Sequence, residues 1–468
     1  MICWVLIYFF RHSFAFPLRV SPLPPSHGSI LWRDISNLPV SEPNTGTSSN
    51  QDTRSIYELV SSCLATLLAC TWVAVHPNIA APEDTERRIL LRRLKIAFHL
   101  ILAPENVILW AAKQRLDARF LAHKYSTRGW TVTHGFFLLM GGYTLWSPAP
   151  PTSIHIKNPT PSTFIRVLTH EDLDKLFNSS SPQVNFPILS VDEIKDHSKA
   201  DWLAKVVVLV QTTWFIVNCV GRLASKLPLS ELEVMTLAYA ALSGLISALW
   251  WNKPTDVRFP VKVHLLDENL VEKWATAPAL QPPAAHLLKR PLWRQILGWL
   301  HAILWQPIQT FARDYRILLA GIRKISTHAH RVPTFYSPEI RRPHLLKWTL
   351  LFDTVGVIFG GIHLIAWSSF FPTEAEKWLW RVNSLLVAGG CTLACFLIVC
   401  SGVIRNSTNE DDLFGGVEGI LIVINIIVYI TARFILLILP WIQLRGGTRV
   451  DAAVWKELDW TQFFLHFG

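Results

Sequence analysis

Charged side chains are scarce in this sequence. Only 17% of its 468 residues are Asp, Glu, Lys or Arg, while 50% are hydrophobic. A soluble globular protein carries about 25% charged residues, and the mean hydropathy of this chain is +0.29. This combination excludes an ordinary soluble domain and indicates an integral membrane protein.

Cysteine is absent from the hydrophilic loops, and no Cys-x-x-Cys pair occurs anywhere in the chain. This distribution excludes a disulfide framework and a structural zinc site. His328 and His330 alternate along the chain but have no third ligand at a known spacing. The sequence therefore predicts no metal site and no cofactor. The seven cysteines all lie in apolar stretches: Cys3, Cys63, Cys70, Cys219, Cys391, Cys395 and Cys400.

Several motifs that mark enzymes are also missing. We find no Gly-rich phosphate loop, no Ser or Cys nucleophile elbow and no metalloprotease helix. Their absence excludes the soluble enzyme classes that they define. An active site inside a membrane is assembled from residues scattered along the chain, so the lack of these motifs does not exclude a membrane-embedded enzyme. The sequence nevertheless favours a non-enzymatic protein.

The excess of positive charge has an explanation within the membrane class. The net charge is +10, which in a soluble protein would suggest nucleic-acid binding. In an apolar chain, Lys and Arg collect in cytosolic loops and are attracted to anionic headgroups. The predicted partners are therefore membrane lipids and not nucleic acid, and protein partners are unknown.

Six segments are long and apolar enough to cross a bilayer, which takes about 20 residues. Two shorter segments, 96–112 and 130–146, could each span the bilayer, re-enter it or lie in its interface; Pro104 and Glu105 interrupt the first. The predicted fold is an all-α bundle of six to eight transmembrane helices with interfacial amphipathic helices. The six strong segments are 56–75, 202–220, 232–251, 348–371, 378–404 and 417–441.

The pattern divides the chain into consecutive regions. The loop regions contain two short capped helices, at Thr169 and Ser190, and an amphipathic helix over residues 292–308. The predicted regions are a possible signal peptide (1–16), a disordered extracytosolic arm (17–54), a first transmembrane region with one strong and two weak spans (55–146), a cytosolic loop (147–201), a transmembrane hairpin (202–251), a basic cytosolic loop (252–347), three transmembrane helices (348–441) and a C-terminal tail (442–468).

The distribution of basic residues predicts the orientation. Lys and Arg flank both ends of the 252–347 loop, and acidic residues there are sparse. The positive-inside rule therefore places this loop in the cytosol. Counting outwards places the 147–201 loop on the same side, and it places the turn 221–231 and the C-terminus outside. The N-terminus is also outside if the two weak segments both span the bilayer or both do not. The predicted location is an endomembrane or the plasma membrane.

Four ionisable residues fall within apolar segments and are functional candidates: Glu105, Asp353, His363 and Arg433. Arg433 is expected to pair with Asp353 or Glu105, or to snorkel to the outer face. Asp353 could instead cap its helix or snorkel near the boundary. His363 follows a glycine pair, which could mark close helix packing. Asp353 and His363 are ten residues apart on one predicted helix, about 15 Å, so they cannot touch.

The stretch from Trp250 to Lys253 is typical of a membrane boundary. Trp250 and Trp251 end an apolar run, Lys253 follows in the polar layer, and Pro254 ends the helix. We predict that Trp250, Trp251 and Lys253 are interface anchors.

Several longer phrases of the sequence are distinctive, among them LAPENVILWAAKQRL, THGFFLLMGG, LVQTTWFIVNCVGR, LSELEVMTLAYAALS, WWNKPTDV and FGGIHLIAW. They resemble a large group of multi-pass membrane proteins from filamentous fungi, especially mushrooms. The resemblance runs from about Cys63 to the C-terminus and implies a fungal source, an N-terminal signal and an integral membrane location. It implies no activity, so no catalytic or binding residue is transferred.

Three functions are compatible with these observations. The first is a non-enzymatic small-solute or ion pathway, or a sensor, that uses the intramembrane polar residues. The second is a membrane-embedded enzyme acting on a lipid, in which His363 and the acidic residues converge. The third is a scaffold that recruits partners through the basic loop, with Lys289, Arg290, Arg323 and Lys324 as its contacts.

Overall fold

The computed structural model describes residues 54–148, 162–187, 189–196, 201–275, 325, 329–338, 345–407, 414–445 and 452–458. Several predictions lie outside these residues. They are the signal peptide, nearly all of the extracytosolic arm, the amphipathic helix over 292–308, and the basic side chains Lys289, Arg290, Arg323 and Lys324.

Helices make up most of the described chain. The α-helices are α1 (Ile56–Leu68, continued by a π-helical turn Ala69–Val73), α2 (Glu86–Leu102), α3 (Pro104–Lys124), α4 (Val132–Leu139), α5 (His170–Phe177), α6 (Val191–Asp196), α7 (Asp201–Ala224), α8 (Glu231–Leu249), α9 (Asn269–Trp274), α10 (Leu345–His363), α11 (Glu374–Ser407) and α12 (Phe414–Gln443). Short 3-10 segments are Ser126–Arg128, Leu364–Ser368 and Ala452–Trp455.

Four of these helical segments are long and apolar enough to cross a membrane, within the residues that the structure describes. They are Ile56–Val73, Glu231–Leu249, Lys347–Ser368 and Ile424–Gln443. Helices α2 and α3 add a fifth only if the bent pair that they form is counted as one span. A mostly helical chain with several apolar helices is therefore confirmed, and four candidates are fewer than the six to eight predicted.

The weak segment 130–146 does not form a spanning helix. Its helix, α4, has 8 residues, which is about 12 Å and less than half of a bilayer core. Gly141 follows with a φ of +87°, a left-handed conformation that favours glycine. The chain then enters a strand. Of the alternatives left open for this segment, a helical crossing is therefore not what the structure shows; the segment contains a short buried helix.

A small sheet, which the all-α prediction missed, joins three distant segments. Its strands are β1 (Tyr143–Trp146), β2 (Phe164–Val167) and β3 (Val261–His264), in the order β2-β1-β3. Strand β1 pairs antiparallel with β2 and parallel with β3. Because β2 belongs to the 147–201 loop and β3 to the 252–347 loop, the two loops meet at one end of the molecule, called here the sheet end.

The first described residue, Arg54, and the last described segment, 452–458, meet at the end of the molecule opposite the sheet end. The backbone N–H of Arg54 donates to the carbonyl of Trp455 at 2.8 Å. Arg222, at the end of α7, donates to the carbonyls of Lys456 at 2.8 Å and Val454 at 2.9 Å. Arg54 also pairs with Glu233, which closes a capping box with Ser230 at the start of α8. These contacts hold α1, α7, α8 and the C-terminal segment together.

Helices α10 and α11 approach closely at Gly360. A Cβ atom built on Gly360 would lie 2.5 Å from the backbone nitrogen of Ala388 and 2.6 Å from its Cα. Backbone atoms cannot move aside as a flexible side chain can. This contact is the close helix packing that a glycine near His363 predicted.

We expect Gly360→Ala to lower the free energy of unfolding by roughly 1 to 3 kcal/mol, the usual effect of overpacking. The neighbouring Gly361 has nothing within 4 Å of its built Cβ, so Gly361→Ala is the matched control. Denaturant titration followed by circular dichroism measures both variants. Equal stability of the two would contradict the close contact.

Candidate functional site at the centre of the helical bundle

Helices α2 and α3 form a bent pair whose apex points into the bundle. They meet at Ala103, where the chain axis bends by 114°. Pro104 occupies the first turn of α3, where its missing N–H costs no hydrogen bond. In the middle of a continuous helix, the same proline would remove one backbone hydrogen bond, and its ring would clash with the preceding turn. Pro104 therefore explains why the segment is broken into two helices.

Both arms of the bent pair return to the sheet end. Glu86, at the start of α2, accepts a hydrogen bond from Arg258, just before β3, at 2.5 Å. Lys124, at the end of α3, contacts Asp174 of α5 at 2.6 Å. Near the apex, the hydroxyl of Tyr239 donates to the carbonyl of Ile101 at 2.6 Å. Tyr239 lies near the middle of α8, so the apex reaches roughly half-way along that helix.

A buried ion pair sits at this apex. Glu105, in the first turn of α3, contacts Arg433 of α12 with 2.8 Å between Oε2 and Nη2, and both side chains are buried. The hydroxyl of Tyr429 donates to Glu105 Oε1 at 2.5 Å and accepts from Arg433 Nε at 2.7 Å. The guanidinium also lies over the ring of Phe359, 3.6 Å from its centroid. Both carboxylate oxygens of Glu105 are therefore occupied.

Two polar atoms at the apex have no hydrogen-bond partner among the described residues. They are Nη1 of Arg433 and Oδ1 of Asn106, and both are buried. Asn106 directly follows Glu105 in the first turn of α3. An unpaired donor and an unpaired acceptor in a buried site each cost about 1 to 3 kcal/mol. We call Glu105, Asn106, Tyr429 and Arg433 the polar centre.

The structure brings three of the four predicted polar residues into one region. Glu105 and Arg433 form the pair that the sequence offered as one alternative. His363 lies one turn beyond Phe359; its ring is 4.7 Å from the Phe359 ring and its Nδ1 is 2.8 Å from the Phe359 carbonyl oxygen. Asp353 lies apart and accepts a hydrogen bond from Thr392 of α11 at 2.7 Å.

The three predicted interface anchors differ in how exposed their side chains are. Trp251 is 67% exposed, as a boundary tryptophan would be, but Trp250 and Lys253 are buried inside protein. The indole N–H of Trp250 donates to Gln114 Oε1 at 3.1 Å, so it does not reach a headgroup. An anchoring role for Trp250 and Lys253 is therefore corrected.

The ammonium group of Lys253 is buried among neutral groups at the sheet end. It donates to the carbonyl of His76 at 2.6 Å and to Gln114 Oε1 at 3.0 Å. It also lies 4.6 Å and 4.5 Å from the ring centroids of Trp110 and Trp250. Burial lowers the pKa of Lys253 well below its usual range. The oxygen acceptors and the two indole faces oppose this by favouring the charged form.

The sequence analysis did not identify Tyr429, Asn106 or Phe359, which surround the Glu105–Arg433 pair. Tyr429 precedes Arg433 by one helical turn, and that spacing is a usable signal for a shared face. Asn106 and Phe359 carry no comparable signal, because their roles depend on helices far apart in the chain. Among the described residues, no group of three or more His, Cys, Asp or Glu side chains is placed to hold a metal ion.

A family model described as a family of unknown function, DUF8562, matches residues 31–277 and 340–467. The chain belongs to the DUF8562 family. The first matched range contains Glu105 and Asn106, and the second contains Tyr429 and Arg433. Comparison with curated proteins and with solved structures found no match.

Proposed function

We propose that this protein is a multi-pass integral membrane protein that provides a pathway for small, neutral, polar solutes, with the polar centre as its selective point. The observation that carries the proposal is the buried Glu105–Arg433 pair at the apex of a bent helix pair. Ionisable groups within a membrane are rare and commonly mark substrate pathways. Broken helices that end near the bilayer midplane commonly form such sites.

The charge of the polar centre favours a neutral solute over an ion. Glu105 and Arg433 neutralise one another, so the centre has no net charge when both are ionised. The unpaired atoms are one donor, Arg433 Nη1, and one acceptor, Asn106 Oδ1. A solute that both accepts and donates hydrogen bonds, such as an amide or a small polyol, satisfies both.

The proposed arrangement has six spans, formed by α1, α7, α8, α10, α11 and α12, with α2 and α3 re-entering from the sheet end. Helices α7 and α11 have 24 and 34 residues, enough to cross about 30 Å. The pairing of β1 with β2 and β3 supports a common side for the two long loops, which we propose is cytosolic. Membrane lipids are the proposed surroundings of the bundle.

The alternative functions have less support. In a lipid-acting enzyme Glu105 would be the candidate proton acceptor, and both of its oxygens are already engaged by Tyr429 and Arg433. Asp353 points to Thr392 and not to the polar centre. The contacts proposed for a scaffold lie outside the described residues.

Flux measurements on the reconstituted full-length chain test the pathway. Stopped-flow light scattering on proteoliposomes follows entry of urea, formamide and glycerol, and fluorescence quenching follows potassium and chloride. We expect at least one neutral solute to enter faster than into empty vesicles, and neither ion to do so. Ion flux without neutral-solute flux, or no flux of any probe, would overturn the proposal.

Asn106→Leu is the variant that isolates the site. Because Oδ1 of Asn106 has no partner to lose, we expect the fold to be retained and the solute flux to fall by about tenfold, the worth of one hydrogen bond. Asn383→Leu is the matched control: Asn383 is a buried asparagine in α11 that donates to the Leu379 carbonyl in its own helix. Equal flux in the two variants would exclude Asn106 from the pathway.

A further inference from the structure

A cavity lies at the sheet end, outside the polar centre. Its volume is about 460 Å³, which is within the usual range of small-molecule sites. Four aromatic residues line it: Trp130, Tyr143, Phe177 and Phe186. Their rings contact each other, with centroids 5.0 Å apart for Tyr143 and Phe186 and 5.2 Å apart for Phe177 and Phe186. The cavity therefore has a continuous aromatic wall.

The polar part of the wall is held in place by hydrogen bonds. Gln183 accepts from the indole of Trp274 at 3.0 Å and donates to Ser179 at 2.8 Å. The Nε2 of His134 is 2.9 Å from the carbonyl oxygen of Leu189. These three wall residues already have partners, so they shape the cavity and leave the recognition of a ligand to other groups.

Two groups at the cavity lack such partners among the described residues. Tyr143 is 1% exposed, lines the cavity, and its hydroxyl makes no hydrogen bond there. Burial raises the pKa of Tyr143, so the hydroxyl stays protonated and can donate. Arg128 lies at the rim and stacks 3.9 Å from the centroid of Phe177. No described carboxylate pairs with Arg128, so its charge is available.

We propose that this cavity binds a flat aromatic carboxylate that carries a second polar group on its far side. The aromatic wall packs against the ring system. Arg128 takes the carboxylate, because a planar guanidinium matches a carboxylate through two hydrogen bonds. Tyr143 takes the second polar group. This site does not depend on the proposed pathway, since no residue of the polar centre lines it.

Binding of three related probes tests this assignment: 6-hydroxy-2-naphthoate, 2-naphthoate, which lacks the hydroxyl, and 2-naphthol, which lacks the carboxylate. Calorimetric titration uses the full-length protein in lipid nanodiscs, with empty nanodiscs subtracted for partition into lipid. We expect 6-hydroxy-2-naphthoate to bind most tightly and each missing group to weaken binding by about five- to tenfold. No binding above empty nanodiscs would overturn the proposal.

Single variants show which residue contacts which group of the probe. The measured quantity is the ratio of the affinities for two probes that differ in that group. Tyr143→Phe is expected to abolish the preference for 6-hydroxy-2-naphthoate over 2-naphthoate. Arg128→Gln is expected to abolish the preference of the site for 6-hydroxy-2-naphthoate over 2-naphthol. Tyr57→Phe and Arg87→Gln are exposed controls on α1 and α2, and we expect both preferences to persist in them. Preferences that also persist in the Tyr143 and Arg128 variants would overturn the assignment.

A variant at the mouth of the cavity provides a second measurement. Ser180 lines the cavity and is exposed, so a large side chain is tolerated there without entering the core. We expect Ser180→Trp to reduce binding of all three probes while the thermal unfolding transition stays unchanged. Unchanged binding in this variant would place the probes elsewhere.

Discussion

An Arg433→Met variant is expected to lose roughly 3 to 5 kcal/mol of unfolding free energy, because it leaves a buried carboxylate without its counter-charge. Glu105 would keep only the hydroxyl of Tyr429 as a donor, and its side chain is buried. The guanidinium contact with Phe359 would be lost as well. Denaturant titration of the protein in detergent, followed by circular dichroism, measures the effect.

Two further variants show how much of this loss comes from the unpaired charge: a control at an exposed arginine, and a double variant that removes both charges of the buried pair. Arg258 is 44% exposed and pairs with Glu86, which is 80% exposed, so Arg258→Met should cost less than about 1 kcal/mol. Combining Glu105→Gln with Arg433→Met removes both charges, and we expect it to recover most of the lost stability. If Arg433→Met is no more harmful than Arg258→Met, the buried pair does not exist as described.

Removing Lys253 is the second large effect that we expect. Lys253→Ala removes the hydrogen bonds from the ammonium to the His76 carbonyl and to Gln114 Oε1, and it opens a cavity between Trp110 and Trp250. Losing hydrogen bonds made by a charged donor costs about 1.5 to 3 kcal/mol, and truncating a long buried side chain costs about 2 to 5 kcal/mol. Relief from burying a cation offsets part of this, so we expect a net loss of roughly 3 kcal/mol.

Two further substitutions test this account of Lys253 by the same denaturant titration. Lys253→Met fills the space between the indoles but donates no hydrogen bond, so its loss should lie between wild type and Lys253→Ala. Trp251→Ala alters the exposed neighbour and should change stability by less than about 0.5 kcal/mol. A harmless Lys253→Ala together with a harmful Trp251→Ala would restore the interface-anchor interpretation.

Local signals explain which structural features were predictable from the sequence. Ser230 and Glu233 cap α8 through contacts three residues apart, and Pro104 marks the break between α2 and α3. The pairing of Glu105 with Arg433 was one of several alternatives. Sequence offers only the rule that a charge in an apolar segment seeks a partner, and it does not say which partner is near.

Features that depend on distant segments were not predictable. Trp250 and Lys253 match the boundary pattern of tryptophan followed by lysine, yet His76 and Gln114 enclose them from other parts of the chain. Strands β1, β2 and β3 are four residues each, too short for an alternating pattern to stand out from loops. Asn106 was overlooked because its unpaired oxygen is a property of the assembled bundle.

The contact between Glu105 and Arg433 also constrains the order in which the chain can be assembled. The two residues are 328 positions apart, so during synthesis the apex carboxylate exists long before its partner is made. Until α12 is made, Glu105 at the apex of the bent pair lacks the counter-charge of Arg433. We therefore expect completion of α12 to be the step that stabilises the packing of the bent pair. A chain stopped before α12 should remain open to quality-control proteases, while the finished chain is protected.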